Sequence, residues 1–304
     1  MEAAQTMSYK IILISNELRI SRRTMDPNKH PIIPSDCEDD LHNLEIADSA
    51  DLVLFMAGNQ FMAMEEIIFA FQKEYPDIDR IYYETLPPGL ELKQILSGGA
   101  VFRDKLISVY PDVYSSVNIN AMKTLEAAGH IRRDDYHLYL HNRLTLMTPE
   151  GNPARIRSIN DMGGERVRIS QPDPANEDIA LHIVDMYRQA GGEELVYRIM
   201  EKKRAEGTTI FTVVHHRETP LRILKKTVDV GPVWATEVIH ATSSRLAFEV
   251  IEPGEDFDQR DRINYYICKL KDAPNYGNAK KFIEFIRSPG PQKIYQKYGF
   301  LPYQ

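Results

Sequence analysis

The chain has 304 residues, 43% apolar and 27% charged, which is ordinary globular composition with length for two domains and substantial cores. Its net charge of −7 argues against a broad nucleic-acid or anionic-membrane surface, and its two cysteines, Cys37 and Cys268, are too few for a zinc cluster or a disulfide framework. No run approaches the ~18 apolar residues of a membrane span, so direct membrane insertion is not expected, and MEAAQTMSYKIILISNELRISRR lacks an uninterrupted apolar stretch with a small-residue cleavage site.

The two cysteines are therefore read as free thiols, with a single long-range bridge as the alternative. The expected location is cytoplasmic, or periplasmic or secreted if a leader has been removed.

Residues 1–50 are poorly periodic, with Pro27, Pro31 and Pro34 and an acidic patch at Asp36, Glu38, Asp39 and Asp40. They read as an extension lying on the fold. Residues 52–56 form a short buried strand, followed by Gly58 and Asn59 and by a helix with Met64, Ile67, Ile68, Phe71 and Tyr75 on one face. A second unit repeats the logic: Ile81, Tyr82 and Tyr83 make a strand, Pro87, Pro88 and Gly89 a turn, and Leu92, Ile95 and Leu96 a helical face ending at Gly98-Gly99. Residues 113–115 and 121–128 supply a third strand and helix. This alternation predicts a mainly parallel sheet.

Residues 143–147 are extended and are broken by Pro149, Gly151 and Pro153, where the chain crosses to another domain. A second series begins with a strand at 167–170 and a turn at 171–175. Asn176 then caps a helix opened by Glu177 and Asp178, with Ile179, Ile183, Met186, Tyr187 and Ala190 facing inward and Gly191-Gly192 closing it. Residues 208–214 have strand composition, and Thr219-Pro220 reads as an N-cap with proline in the first helical position. A strand at 228–234 and a return crossing near 246–253 follow. The ending resumes the first pattern, with a strand at 263–270 and a helix marked by Ala279, Phe282, Ile283 and Ile286, stopped by Ser288-Pro289-Gly290. Two crossings make a hinge with a cleft. The expected fold is α/β and two-lobed, each lobe a mixed, mostly parallel sheet flanked by helices. Residues 51–145 and 248–304 form lobe I, residues 146–247 lobe II, and residues 1–50 the extension.

Four loops fall after a strand and before a helix: 57–60, 86–89, 171–176 and 215–219. Each offers backbone N–H groups or short polar side chains suited to a small anion, and each also has the plainer reading of a helix cap. In the last of them His215, His216, Arg217 and Glu218 sit between strand and helix, as contacts or as strand-terminating groups. Neighbouring side chains on extended backbone point to opposite faces, so His215 and His216 cannot readily grip one metal; a cleft set of His215, His216, Glu218 and Glu237 is the metal alternative. His137 with His141, and Asp178 with His182, read as surface pairs. No GxSxG, HExxH or cysteine–histidine constellation suggests catalysis, and no cofactor is expected. Trp234, the sole tryptophan, reads either as a contact aromatic or as core.

Taken together, AGNQF after LVLF, FQKEYP, ETLPPG before LKQILSGG, PDVYSS, LMTPEGNPARIRSINDM, HHRETPLRI, VDVGPVWATE and AKKFIEFIRSPGPQKIYQKYGF resemble type II periplasmic solute-binding proteins, near the molybdate-type oxyanion binders of ABC importers. The resemblance spans residues 52–302. It implies a non-catalytic monomer that captures a molybdate-, tungstate- or sulfate-like oxyanion for a membrane ABC permease, with no nucleic acid as partner. It implies ligand contacts from Gly58, Asn59, Gln60, Pro88 and Gly89 in one lobe. Opposite these it implies Asp173, Ala175, Asn176, His216, Arg217, Thr219, Trp234 and Glu237. Gly58-Asn59 and Pro87-Pro88-Gly89 stand where molybdate binders carry serine-bearing loops. The same fold also hosts thiamine-precursor synthases, whose cysteine-rich signature is absent here, and effector domains of transcription regulators, whose helix-turn-helix has no counterpart before Leu52. A sugar or peptide binder would carry more aromatic platforms than one tryptophan, though sixteen tyrosines keep that alternative open.

Overall fold

Leu52, Val53, Leu54 and Phe55 are all shielded from water, as a strand covered on both faces requires. They form the centre of the larger sheet in this computed structural model, which describes residues 29–175, 177–212, 218–243 and 245–303. In chain order the first lobe opens with β1 (Ile32–Ile33), β2 (Leu41–His42), β3 (Leu52–Phe55), α1 (Phe61–Glu74), β4 (Ile81–Glu84) and α2 (Pro88–Ser97). It continues through β5 (Ala100–Phe102), β6 (Lys105–Ile107), β7 (Val113–Ser116), α3 (Ile119–Ala127) and β8 (Tyr136–His141). The chain then enters the second lobe with β9 (Leu144–Pro149), β10 (Ile169–Gln171), α4 (Ile179–Tyr197), β11 (Thr209–Phe211), α5 (Glu218–Leu224), β12 (Gly231–Trp234), α6 (Ala235–Ser243) and β13 (Phe248–Ile251). It returns for β14 (Asn264–Lys269), α7 (Tyr276–Ile286), α8 (Pro289–Lys297) and β15 (Leu301–Pro302).

Among the described residues the first lobe carries a seven-stranded sheet in the order β15-β8-β14-β7-β3-β4-β2. β3 pairs parallel with β4 and β7, while β14 runs antiparallel between β7 and β8, as a strand returning from elsewhere can. In the second lobe β12 and β13 flank β9 antiparallel, β10 and β11 pair parallel, and a bridge from Ile169 to Val230 joins the two sets. Strand pairing puts 144–149 and 248–251 side by side in one sheet with 231–234.

Several local expectations change. The segment before Leu52 does more than lie on the fold: β1 pairs with β5, and β2 forms an edge of the main sheet. In α2, Leu96 is 43% exposed while Glu91 and Gln94 are buried, so the helix turns a polar side inward. Gly191-Gly192 interrupts α4 with non-helical angles but does not end it, because the chain re-enters helix up to Tyr197. Ser288-Pro289 stops α7 and at once starts α8, with proline in the first turn where its missing N–H costs nothing. Thr219 lies inside α5, which begins at Glu218, and does not cap it. Cys37 and Cys268 are both buried, and no disulfide joins them. Among the described residues no helix is long and apolar enough to cross a membrane.

A single apolar cluster runs from α1 and β3 through Trp234 and Tyr265 to α4 of the second lobe. The lobes therefore share packed side chains where the chain crosses. Asn142 donates to Thr236 at 3.3 Å and to the Tyr265 hydroxyl at 3.2 Å.

Candidate functional site

The carboxyl end of β3 leads through Ala57 into the turn Gly58–Gln60 and then α1. The end of β4 leads through Thr85, Leu86 and Pro87 into α2, and the end of β7 through Val117 into α3, where Asn118 caps by accepting the Asn120 N–H at 2.9 Å. From the second lobe, Glu177 and Asp178 open α4, and Trp234 ends β12. These five chain segments enclose one pocket, lined by Ala57, Gly58, Asn59, Thr85, Pro87, Pro88, Val117, Glu177, Asp178, Ile179 and Trp234. Its cavity volume is about 30 Å³, room for a water or two or for one compact ion.

Gly58 is there for space. A Cβ at this position would stand 2.8 Å from the Thr85 carbonyl oxygen and 3.1 Å from that of Leu86, so only glycine lets the first loop lie against the second. Beneath it, the Gln60 carboxamide oxygen accepts from Tyr139 at 2.9 Å and Tyr295 at 2.7 Å, and its nitrogen donates to Ser115 at 3.2 Å. Ser115 Oγ also accepts the Ala57 N–H at 2.9 Å. The loop is thus fastened from below before any ligand arrives. The Asn59 amide donates to the Tyr265 hydroxyl.

Four helices, α1 to α4, begin at this pocket, and the first-turn N–H groups of a helix have no intrahelical acceptor and carry the positive end of its dipole. Set against this, the charged side chains in the described lining are two carboxyls. Glu177 accepts the Thr212 hydroxyl. Burial raises the Asp178 carboxyl above its ordinary range, with a hydrogen bond from Asn118 pulling the other way. Trp234, 3% exposed, sits between His182 and Tyr265, with ring centroids 6.3 and 6.4 Å away. Burial lowers His182 to about 4, so the imidazole is neutral near pH 7.

Of the residues singled out in the sequence, Gly58, Asn59, Pro88 and Trp234 line the pocket. Gln60 lies behind the wall as its fastening, and Gly89 follows Pro88 with nothing within 4 Å of an added Cβ. Asp173 and Ala175 form their own turn, the Asp173 carboxylate accepting the Ala175 N–H at 2.9 Å, outside the lining. Thr219 is fully buried, its hydroxyl 2.8 Å from Ser170 and its methyl against Gly231, so it packs α5 on the sheet. Glu237 lines a separate groove with Phe61, Leu221 and His240. Asn176, His215, His216 and Arg217 lie outside the described residues. Of the metal alternative, Glu218 pairs with Arg222 at 2.7 Å, and among the described residues no group of three or more metal-ligating side chains assembles.

Asp178 and His182 are not a surface pair: one lines the pocket and the other packs on Trp234. Ala57, Thr85, Pro87, Val117, Glu177, Asp178 and Ile179 were missed as lining residues, although each stands within a residue or two of a loop or helix start visible in the sequence.

The family model for bacterial extracellular solute-binding proteins matches residues 52–301. A Bacillus subtilis (strain 168) protein, YvgL, described as an ABC transporter substrate-binding lipoprotein, is 21% identical over 277 residues, covering 88% of this chain and 93% of that one. The Azotobacter vinelandii periplasmic molybdate-binding protein superposes with a TM-score of 0.66 at 16% identity, covering 83% of this chain and 100% of that chain. The sulfate-binding protein SubI of Mycobacterium tuberculosis H37Rv superposes with a TM-score of 0.68 at 15% identity, covering 83% and 86%. At such identities these structures establish the two-lobed fold. With a pocket formed between the lobes and a family match across most of its length, the chain belongs to the bacterial extracellular solute-binding proteins, a family of binders rather than of enzymes.

Proposed function

We infer that the chain captures a small inorganic oxyanion of the molybdate, tungstate or sulfate kind in the interlobe pocket and hands it to a membrane ABC permease. The observation that carries this reading is the start of four helices at one small pocket. Their amino ends favour negative charge, and lobe closure strengthens each interaction by excluding water. Asp178, held toward its neutral form by burial, donates to an anion in that form and does not repel it. Arg217 adds positive charge in this reading. The capture site faces the outside of the cytoplasmic membrane, and the protein acts as a monomer.

A second reading, a cation ligand, is favoured by the two carboxyls Glu177 and Asp178 in the lining. Titration calorimetry with molybdate, tungstate, sulfate and phosphate, then with divalent and ferric ions, separates the two. Saturable binding of one tetrahedral oxyanion, weakened at least about tenfold by Arg217→Ala with little change in melting temperature, is the expected result. Silence toward all four oxyanions with tight binding of a metal ion would reverse the assignment.

A further inference from the structure

We propose that Glu84 and Glu91 form a proton-sharing carboxyl pair that seats the Thr85–Pro88 wall of the pocket and holds it in place only while protonated. Glu84 ends β4 and Glu91 lies on the buried side of α2, so the two acids bracket that wall along the chain. Both are 0% exposed, and Gln94, one helical turn beyond Glu91, is 1% exposed. Glu84 Oε1 accepts from the Tyr82 hydroxyl at 2.6 Å and from the Gln94 amide at 3.0 Å. Glu84 Oε2, both oxygens of Glu91 and Oε1 of Gln94 have no hydrogen-bond partner. Leu86 N–H faces Glu91 without completing a bond of normal geometry.

Every orphaned atom in this knot is therefore an acceptor, and no cation among the described residues pairs with either acid. Buried acceptors without donors are costly, and protonation cures the deficit by turning a carboxyl oxygen into a donor for its neighbour. Two carboxyls whose charges repel each other in a dry site cannot both ionise readily. Burial pushes Glu84 up to about 7, and it pushes Glu91 well above the carboxylate range with Glu84 and Asp40 adding repulsion. The other titratable groups facing the pair are Tyr82, Tyr114 and Tyr139, all held protonated by burial, and the knot contains no base that could take up the charge.

The pocket wall is fastened at both ends by groups beside this knot. Thr85 donates its N–H to the Asp40 carbonyl at 2.9 Å and its hydroxyl to the Asp40 carboxylate at 3.1 Å, with His42 Nε2 3.4 Å from the same hydroxyl. Tyr114 donates to the Pro88 carbonyl at 2.9 Å. Above neutral pH a negative charge enters the knot at Glu84, and the segment between the two acids is what gives way. Glu84 and Glu91 are thus positioning residues, and they act whichever solute fills the pocket.

The test needs no ligand, so its failure is distinct from failure of the oxyanion reading. Trp234, the sole tryptophan, lines the same pocket and reports on it by fluorescence. Emission, together with amide exchange of the peptide spanning residues 85–90 corrected for intrinsic rate, is followed from about pH 5 to about pH 9 in wild type, Glu84→Gln and Glu91→Gln. Wild type should show a transition near neutrality, with protection of that peptide falling about tenfold per pH unit above it. Glu84→Gln should abolish the transition and keep native emission on the alkaline side. If the variants fold poorly, infrared absorption of protonated carboxyl groups in wild type gives the same answer, since the band should fade across the same interval. A flat wild-type profile, a transition with an unchanged midpoint in both variants, or a knot stabilised by added calcium or potassium would overturn the proposal.

Discussion

Replacing Gly58 with alanine adds one methyl group at the closest approach of the two loops that form the first-lobe side of the pocket. The new Cβ would meet the Thr85 carbonyl oxygen at 2.8 Å, the Leu86 oxygen at 3.1 Å and the Leu86 carbonyl carbon at 3.2 Å. All three obstacles are backbone atoms, so no rotamer change relieves the contact and one loop must shift. Overpacking of this kind costs about 1–3 kcal/mol, and the rigidity of the neighbours places Gly58→Ala in the upper half of that range. For a chain of this size that lowers the melting temperature by roughly 3–5 °C. Gly89→Ala is the matched control: an added Cβ there has nothing within 4 Å, and the residue lies in the first turn of α2. It should leave stability unchanged or raise it by about 0.5 kcal/mol through the unfolded chain. Both variants are compared by circular-dichroism melts and by Trp234 emission. If Gly58→Ala melts within a degree of wild type, or Gly89→Ala falls as far, the close-approach reasoning is wrong.

His182 should make the protein acid-sensitive. Its folded pKa is depressed to about 4 by burial, so its contribution is complete above the ordinary value of 6.5 and is lost as pH falls through about 4. The loss is bounded by roughly 3 kcal/mol and reduced by the ring's partial exposure, and His182→Gln should flatten this limb in urea titrations at a series of pH values. Tyr295→Phe removes one of two hydroxyls donated to Gln60 and should cost about 1 kcal/mol. Gln60→Leu strands Tyr139, Tyr295 and the Ser115 contact together and should cost roughly 3 kcal/mol or more by the same denaturant assay. Arg222→Lys should lower the melting temperature by several degrees, because the guanidinium at once reaches Ser170, the Ile210 and Phe211 carbonyls and Glu218, a fork that an ammonium cannot reproduce. An unchanged melt would show those four bonds to be dispensable.

The units that were legible in the sequence are those whose burial follows simple periodicity. LVLF buries every residue of β3, and Met64, Ile67, Ile68 and Phe71 form the inner face of α1 as their spacing requires. Leu96 and Glu91 show why α2 was harder. A hydrophobic count assigns leucine inward and glutamate outward, yet the acid lies on the buried side of α2, the side from which Gln94 donates to Glu84 at the end of β4, a helix-to-strand pairing that local spacing does not reveal. β5 and β6 are three residues each and paired only with one another and β1, too short for alternation to register. For the pocket, loop positions were visible because strand ends and helix starts are, and Gly58, Asn59, Pro88 and Trp234 follow from that. Side-chain direction was not. Thr219 turns its hydroxyl to Ser170, Glu237 faces another groove, and Asp178 turns inward from what reads as a solvated helix start.

The seven-stranded sheet is bounded on one side by Leu41–His42 and on the other by Leu301–Pro302, two residues each. Such stubs offer an incoming chain almost no unpaired backbone, and Pro302 has no N–H to give. A protein that must open and shut around its cargo repeatedly exposes surface, and fusion of copies through their sheets is a standing hazard of that cycle. Here the outermost strands of this sheet are themselves too short to serve as templates for a fibre or a strand-exchanged dimer.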